Sequence, residues 1–418
     1  MNLLKLLVIS LTILAATSGV AADIKTLLQR KPQKVEDARP GNLSERDYNR
    51  LSRAQQMMAE GKFDDALNLL NMLEESTRRD SFGLAQVYQT KGYVYAQNDN
   101  FAKAAEYFQK CLDLKALPLQ PTLSTMYSLA QVNAAQEKYL EAVPLLQDYL
   151  YNRDPPHADA YFFYGQILAQ LNARLEAVKQ VERAIELNPE PREPWYRLLA
   201  ALYYEQKNYP KAIVALTSLL NINPDKKEYW QQLSSIYVAT NQDDKALATL
   251  EVAYKKDFLD EERDLLQLVR LSLFRGVPYK AGVYLEKAIE QGIVEKNKKH
   301  YELLADSWIR AQEVDRALAA LSLAAPLADD GSVFVRQGQL YLEKEQWQES
   351  VKSLEAGIKK GGLSKPGLAY VAMGIAQYRL GRTEASLAAF KQAQKYPQQE
   401  RQAKEWINHL SMGVADTH

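Results

Sequence analysis

The chain has 418 residues, 47% apolar and 25% charged, with 52 basic and 52 acidic side chains, 18 glycines, 16 prolines and one cysteine. This composition excludes a disordered or collagen-like chain, and the absence of net charge excludes a field that would gather nucleic acid or an anionic membrane surface. The length suits two or three globular domains, or one array that grows by stacking.

At the N-terminus, Lys5 precedes an apolar run from Leu6 to Ala16, followed by the small, weakly polar stretch Thr17 to Ala22. Residues 1–22 therefore read as a Sec signal peptide, since the run is short of the ~20 residues that span a bilayer. Small residues at the cut and three before it place cleavage after Ala21, with Gly19, or after Ala22, with Val20. The expected location is the periplasm, and no integral membrane segment is expected after cleavage. No cysteine lies near the cut to carry a lipid, and Cys111 falls on the packing face of a predicted helix, where it reads as a small hydrophobe. Residues 23–43, with Pro32, Pro40 and Gly41, read as a polar extended lead, and Ser44 with Asp47 as the cap of the first helix.

From residue 44 to about residue 400 the sequence repeats. A small residue recurs as Ala66, Ala104, Ala142, Ala177, Ala212, Ala246, Ala281, Ala317, Ser350 and Ser386, at intervals of 33 to 38 residues. Twelve residues before each stands a second series: Ala54, Gly92, Ala130, Gly165, Ala200, Ser234, Val269, Ala305, Gly338 and Gly374. Four residues after each stands a third: Leu70, Phe108, Leu146, Val181, Leu216, Leu250, Leu285, Leu321, Leu354 and Phe390. Two antiparallel helices approach closely only where facing side chains lack bulk, and a large residue one turn on fills the space beside that contact. Each such pair stays half-exposed until the next stacks on it.

These three series, with Tyr161, Gly165, Ala177, Ala184 and Asn188-Pro189 in the fourth unit, resemble the tetratricopeptide repeat. The resemblance implies an all-α, right-handed superhelical solenoid of about ten helix-turn-helix repeats over residues 44–400. Residues 401–418 would supply a capping helix and a tail. Prolines 118, 155, 189, 224 and 397 fall where helices must stop. The seventh unit departs most: Val269 replaces a small residue and Pro278 stands at the start of the second helix. A bend or flexible joint is expected near residues 269–282.

Chemistry is thin. His157, His300, His409 and His418 are expected at turns or the C-terminus, without a second His or Cys at ligand spacing, so no metal site is expected. Asp64-Asp65, Asp243-Asp244 and Asp329-Asp330 read as helix-capping turn residues. No cofactor-binding motif occurs, and the chain is expected not to be an enzyme. Binding is the better prospect. Stepping along the free face of the first helices gives Tyr48, Gln55, Gln86, Gln89, Tyr93, Gln97, Tyr127, Gln131, Phe162, Gln166 and Gln170, with almost no charge, then Arg197 and Tyr204. Amides donate and accept and Tyr adds flat area with a polar tip, so this face suits the backbone of an extended peptide.

The layout is similar to that of tetratricopeptide proteins encoded beside TonB, ExbB and ExbD energy-transducing systems. That resemblance implies a non-catalytic periplasmic adaptor with a partner in such a system. The alternatives are a scaffold for envelope assembly (peptidoglycan synthesis, polysaccharide export or outer-membrane biogenesis) and a periplasmic hydrolase using the acidic turns.

Overall fold

The structure, a computed structural model, describes residues 18–188, 190 and 192–415. Residues 1–17 of the predicted signal peptide, Pro189 and His418 lie outside the described residues, and all secondary structure among those described is helical. The chain forms two compact units, residues 1–224 and 225–418.

The first unit opens with α1 (Ser18–Gln29) and contains five hairpins. They are α2 (Glu45–Ala59) with α3 (Phe63–Thr77), α4 (Ser81–Gln97) with α5 (Phe101–Asp113), α6 (Leu119–Ala135) with α7 (Tyr139–Asn152), α8 (Ala158–Gln170) with α9 (Arg174–Leu187), and α10 (Glu193–Glu205) with α11 (Tyr209–Ile222). The second unit also has five: α12 (Lys227–Ala239) with α13 (Asp243–Lys255), α14 (Glu262–Phe274) with α15 (Pro278–Glu290), α16 (Lys298–Arg310) with α17 (Val314–Ala324), α18 (Ser332–Glu343) with α19 (Trp347–Lys360), and α20 (Pro366–Arg379) with α21 (Thr383–Ala393). A 3-10 turn, Ala325–Leu327, follows α17, and α22 (Glu400–Ala415) packs on α21 and closes the second unit. Within each unit every hairpin stacks on the next.

The three sequence series are the hairpin cores. All thirty residues are buried. The large residue of each repeat lies against the small one of the facing helix: a methyl group on Gly92 would meet the Phe108 ring at 2.5 Å, on Gly165 Val181 Cγ2 at 2.6 Å, on Gly338 Leu354 Cγ at 2.5 Å and on Gly374 the Phe390 ring at 2.7 Å. Where Ser replaces Ala, its hydroxyl is satisfied across the same contact: Ser350 donates to the Gly338 carbonyl at 2.7 Å and Ser386 to that of Gly374 at 2.8 Å. A buried hydroxyl without such an acceptor would cost about 1–3 kcal/mol.

Each hairpin turn also has one geometry. Five residues before the small residue the backbone is left-handed, at Gly61, Asp99, Glu137, Asn172, Lys207, Asn241, Gly276, Gln312, Glu345 and Gly381. The next residue's N–H then reaches back five residues, as from Asn100 to the Tyr95 carbonyl at 2.9 Å and from Asn208 to that of Tyr203 at 2.8 Å. This is the Schellman closure, which satisfies a carbonyl that the helix end leaves free. Side-chain caps start several helices: Ser44 accepts from the Asp47 N–H, as expected, Asp80 from Phe82, and Asn100 from Lys103.

Two expectations change. The lead is not extended throughout, because α1 runs to Gln29 and only residues 30–43 lack helix; these lie against α6 and α7. His300 is buried in α16, its Nδ1 2.9 Å from the Glu295 carbonyl, because Asn297 caps that helix and turns the ring inward. The seventh hairpin does not interrupt its unit: Val269, Ala281, Gly282 and Leu285 are buried, and one core cluster runs from Ala246 to Leu340. Pro278 sits at the first helical turn, where its missing N–H has no intrahelical partner to lose. Gly282 lets the Trp308 ring approach α15, with a Cβ there only 2.7 Å from it.

Net neutrality also acquires a structural reason. Cations and anions about thirty residues apart pair across neighbouring repeats: Arg174–Glu205 at 2.6 Å, Lys211–Glu182 at 3.1 Å, Arg275–Asp244 at 2.7 Å and Lys280–Glu251 at 2.8 Å.

Candidate peptide-binding face

The first helices of the first unit carry the residues singled out from the sequence, but packing divides them into two groups. Phe162 is only 7% exposed and its ring stacks on Trp195 at 5.4 Å, so it belongs to the contact between α8 and α10. Tyr127 lies among Tyr149 (4.9 Å), His157 (5.6 Å) and Phe163 (5.9 Å). Burial raises its phenol pKa, so it remains a neutral donor and acceptor. Tyr93 packs edge-on to Phe108 at 5.0 Å, and burial likewise raises its pKa. Gln89 is spent within the array: its amide donates to Thr125 Oγ1 at 2.8 Å and the Pro121 carbonyl at 3.2 Å, stitching α4 to α6. These four hold repeats together, because neighbouring first helices pack closely enough to cover their edges.

The remaining side chains are available. Tyr48 is 61% exposed and Tyr204 53%, and Gln55, Gln97 and Arg197 are exposed. Gln86, Gln131, Gln166 and Gln170 are half-buried, and the Oε1 of Gln86 is itself buried, which takes that amide oxygen out of the accessible set. Tyr48 and Gln86 line one open notch of about 420 Å³, together with Gly41, Asn42, Leu43, Glu45 and Phe82. Tyr204 meets Tyr209 edge-on at 5.9 Å. The charge-poor character of α4 depends on one buried residue: Lys91 turns inward, donating to Asn71 Oδ1 at 2.6 Å and pairing with Glu74. Farther along, Glu205 is held by Arg174, so its charge serves the joint between repeats.

The face can thus offer amide and phenol groups to a polypeptide backbone. Among the described residues no group of three or more His, Cys, Asp or Glu is placed to hold a metal ion. Cys111 is 2% exposed, and burial pushes its thiol up to about 12, which leaves it protonated at neutral pH. His157 is shifted down, chiefly by burial, and its Nδ1 lies 2.8 Å from the Tyr149 hydroxyl. No described helix is long and apolar enough to cross a membrane.

A human protein O-mannosyl-transferase, TMTC1, is 24% identical over 207 residues, a match taking in 48% of this chain and only 22% of that protein. The C-terminal part of a tetratricopeptide protein from Cytophaga hutchinsonii is similar at 15% identity over 66% of this chain and 95% of that one, with a TM-score of 0.40. A tetratricopeptide protein from Parabacteroides merdae is similar at 15% identity over 61% and 98%, with a TM-score of 0.30. Tetratricopeptide-repeat models match residues 85–116, 127–190, 203–267 and 335–400, together more than half of the chain. With the buried small-residue register and the uniform hairpin turns, these matches place the chain in the tetratricopeptide-repeat family, whose fold generally serves protein–protein interaction.

Proposed function

We propose that the chain is an exported, non-catalytic adaptor that holds an extended segment of a partner protein against the first helices of its first unit. The observation that carries this reading is the uncharged row Gln97, Gln131, Gln166 and Gln170 on α4, α6 and α8, left accessible while the aromatic residues between them pack. Amide side chains in such a row can pair with successive backbone groups regardless of sequence. The signal-like segment around Lys5 and Leu6–Ala16 supports delivery to the periplasm. The partner we propose there is a component of a TonB-type energy-transducing system.

A photo-reactive amino acid at Gln97, on the proposed face, and at Met72, exposed on α3, tests partner and face together in cells. Crosslinks to a TonB-system protein from position 97 and none from 72 are expected. Recovery of a cell-wall synthase instead would replace that partner with envelope assembly. Crosslinks confined to position 72 would move the site off the first helices.

A further inference from the structure

Residues 24–37 form a strap that folds back onto α7, more than a hundred residues on in sequence, and onto the start of α6, 82 residues on from Asp37. Its attachment is built from side chains that read a peptide backbone. The Asn152 amide accepts from the Val35 N–H at 2.9 Å and donates to the Gln33 carbonyl at 2.7 Å, a two-point pairing with an extended chain. Gln147 donates to the Leu27 carbonyl at 3.0 Å. Asp148, only 8% exposed, receives both Arg30 Nη atoms at 2.7 and 2.6 Å and the Gln33 N–H at 2.7 Å. Asp37 accepts from the Leu119 N–H at 2.8 Å, capping α6 where Pro118 offers no side-chain acceptor. The apolar anchors are Ile24, which is buried, and Val35, which packs on the cluster of Leu123, Met126 and Tyr149.

The side chains between Arg30 and Asp37, Val35 apart, take little part. Lys31, Pro32, Gln33, Lys34 and Glu36 are exposed, so the clamp specifies an arginine, an apolar residue five positions later, and the backbone between. A carboxylate as buried as Asp148 needs a cationic partner. Asn152 Nδ2 also donates to the Asp148 carbonyl of its own helix at 2.7 Å, but its Oδ1 is committed to the strap, a contact beyond what the hairpin itself needs, since α7 is already closed against α6 and α8.

We propose that Gln147, Asp148 and Asn152 form a second peptide site, filled in cis by the chain's own strap and open to a partner's extended segment of Arg-x-x-x-x-apolar pattern when the strap lifts. The site lies on a second helix and is distinct from the first-helix face, so it stands or falls separately from the function proposed above. Cleavage after Ala21 or Ala22 would leave the strap on the chain.

The test uses the full chain and a fluorescent peptide with the sequence of residues 24–37. In the Arg30→Ala chain, hydrogen exchange at residues 24–37 should rise, and the peptide should bind at least ten-fold more tightly than to the unaltered chain, where the strap competes. Adding Asp148→Asn to Arg30→Ala should weaken that binding at least ten-fold, as should replacing the peptide's own arginine with alanine. A strap that exchanges freely while the peptide binds no better would overturn the proposal, making the strap structural only. A strap that stays protected in Arg30→Ala would overturn it as well, since the guanidinium would not be the anchor. Dimerisation of the unaltered chain by strap exchange would assign the site to a second copy and equally contradict it.

Discussion

At the closest helix contacts one added methyl group has nowhere to go. A Cβ on Gly165 would stand 2.6 Å from Val181 Cγ2 and 3.3 Å from the Ala177 carbonyl, so Gly165→Leu should cost about 1–3 kcal/mol in urea unfolding. An unchanged midpoint would show that the register of small residues is not the packing register. The hairpin turns give the opposite sign. Lys207 holds φ at +57°, a conformation costly for a residue with Cβ, so Lys207→Gly should raise stability by up to about 1 kcal/mol, less the greater freedom of glycine in the unfolded chain. These two positions also explain what could be read in advance. The small-residue series is legible because only a small side chain fits between crossing helices. The left-handed turn position is not, because its side chain faces solvent and Glu137, Lys207 and Gln312 occupy it alongside Gly61.

Several helices begin where a side chain takes up a free N–H group. Asp330, just before α18, accepts from the Ser332 N–H at 2.7 Å and pairs with Lys298 at 3.3 Å. The two Ser332 contacts and then Lys298 hold its carboxyl at about 2, below the ~3.9 of an unfolded aspartate. A depressed carboxyl pKa stabilises the fold above the unfolded value and stops doing so as pH falls from about 4 towards 2. The unaltered chain should therefore lose more stability between pH 5 and pH 3 than Asp330→Asn, measured as the shift in urea midpoint; equal losses would remove Asp330 from the acid response. Elements set the limit of what the candidate site revealed. Helical periodicity puts Tyr93, Tyr127, Phe162 and Gln89 on the free face of their helices, but it does not include the neighbouring repeat, which covers them. The strap was less accessible still: its partners Gln147, Asp148 and Asn152 stand more than a hundred residues away, and a Pro-containing polar stretch reads alone as loose chain.

For the molecule, the hairpins account for the economy of charge. Cations and anions that would otherwise set up a surface field are paired repeat to repeat. What remains accessible on α4, α6 and α8 is a line of amides, a surface suited to holding a polypeptide. The most direct measurement selects peptides from a random display library on the purified full chain, then compares their affinity for that chain and for Gln131→Ala/Gln166→Ala/Gln170→Ala. These residues are chosen over Tyr93 and Tyr127, whose packing makes their replacement a test of stability. The account predicts extended peptides bound at least ten-fold more weakly by the triple variant, with unfolding midpoints nearly equal. Equal affinity for both chains would contradict it.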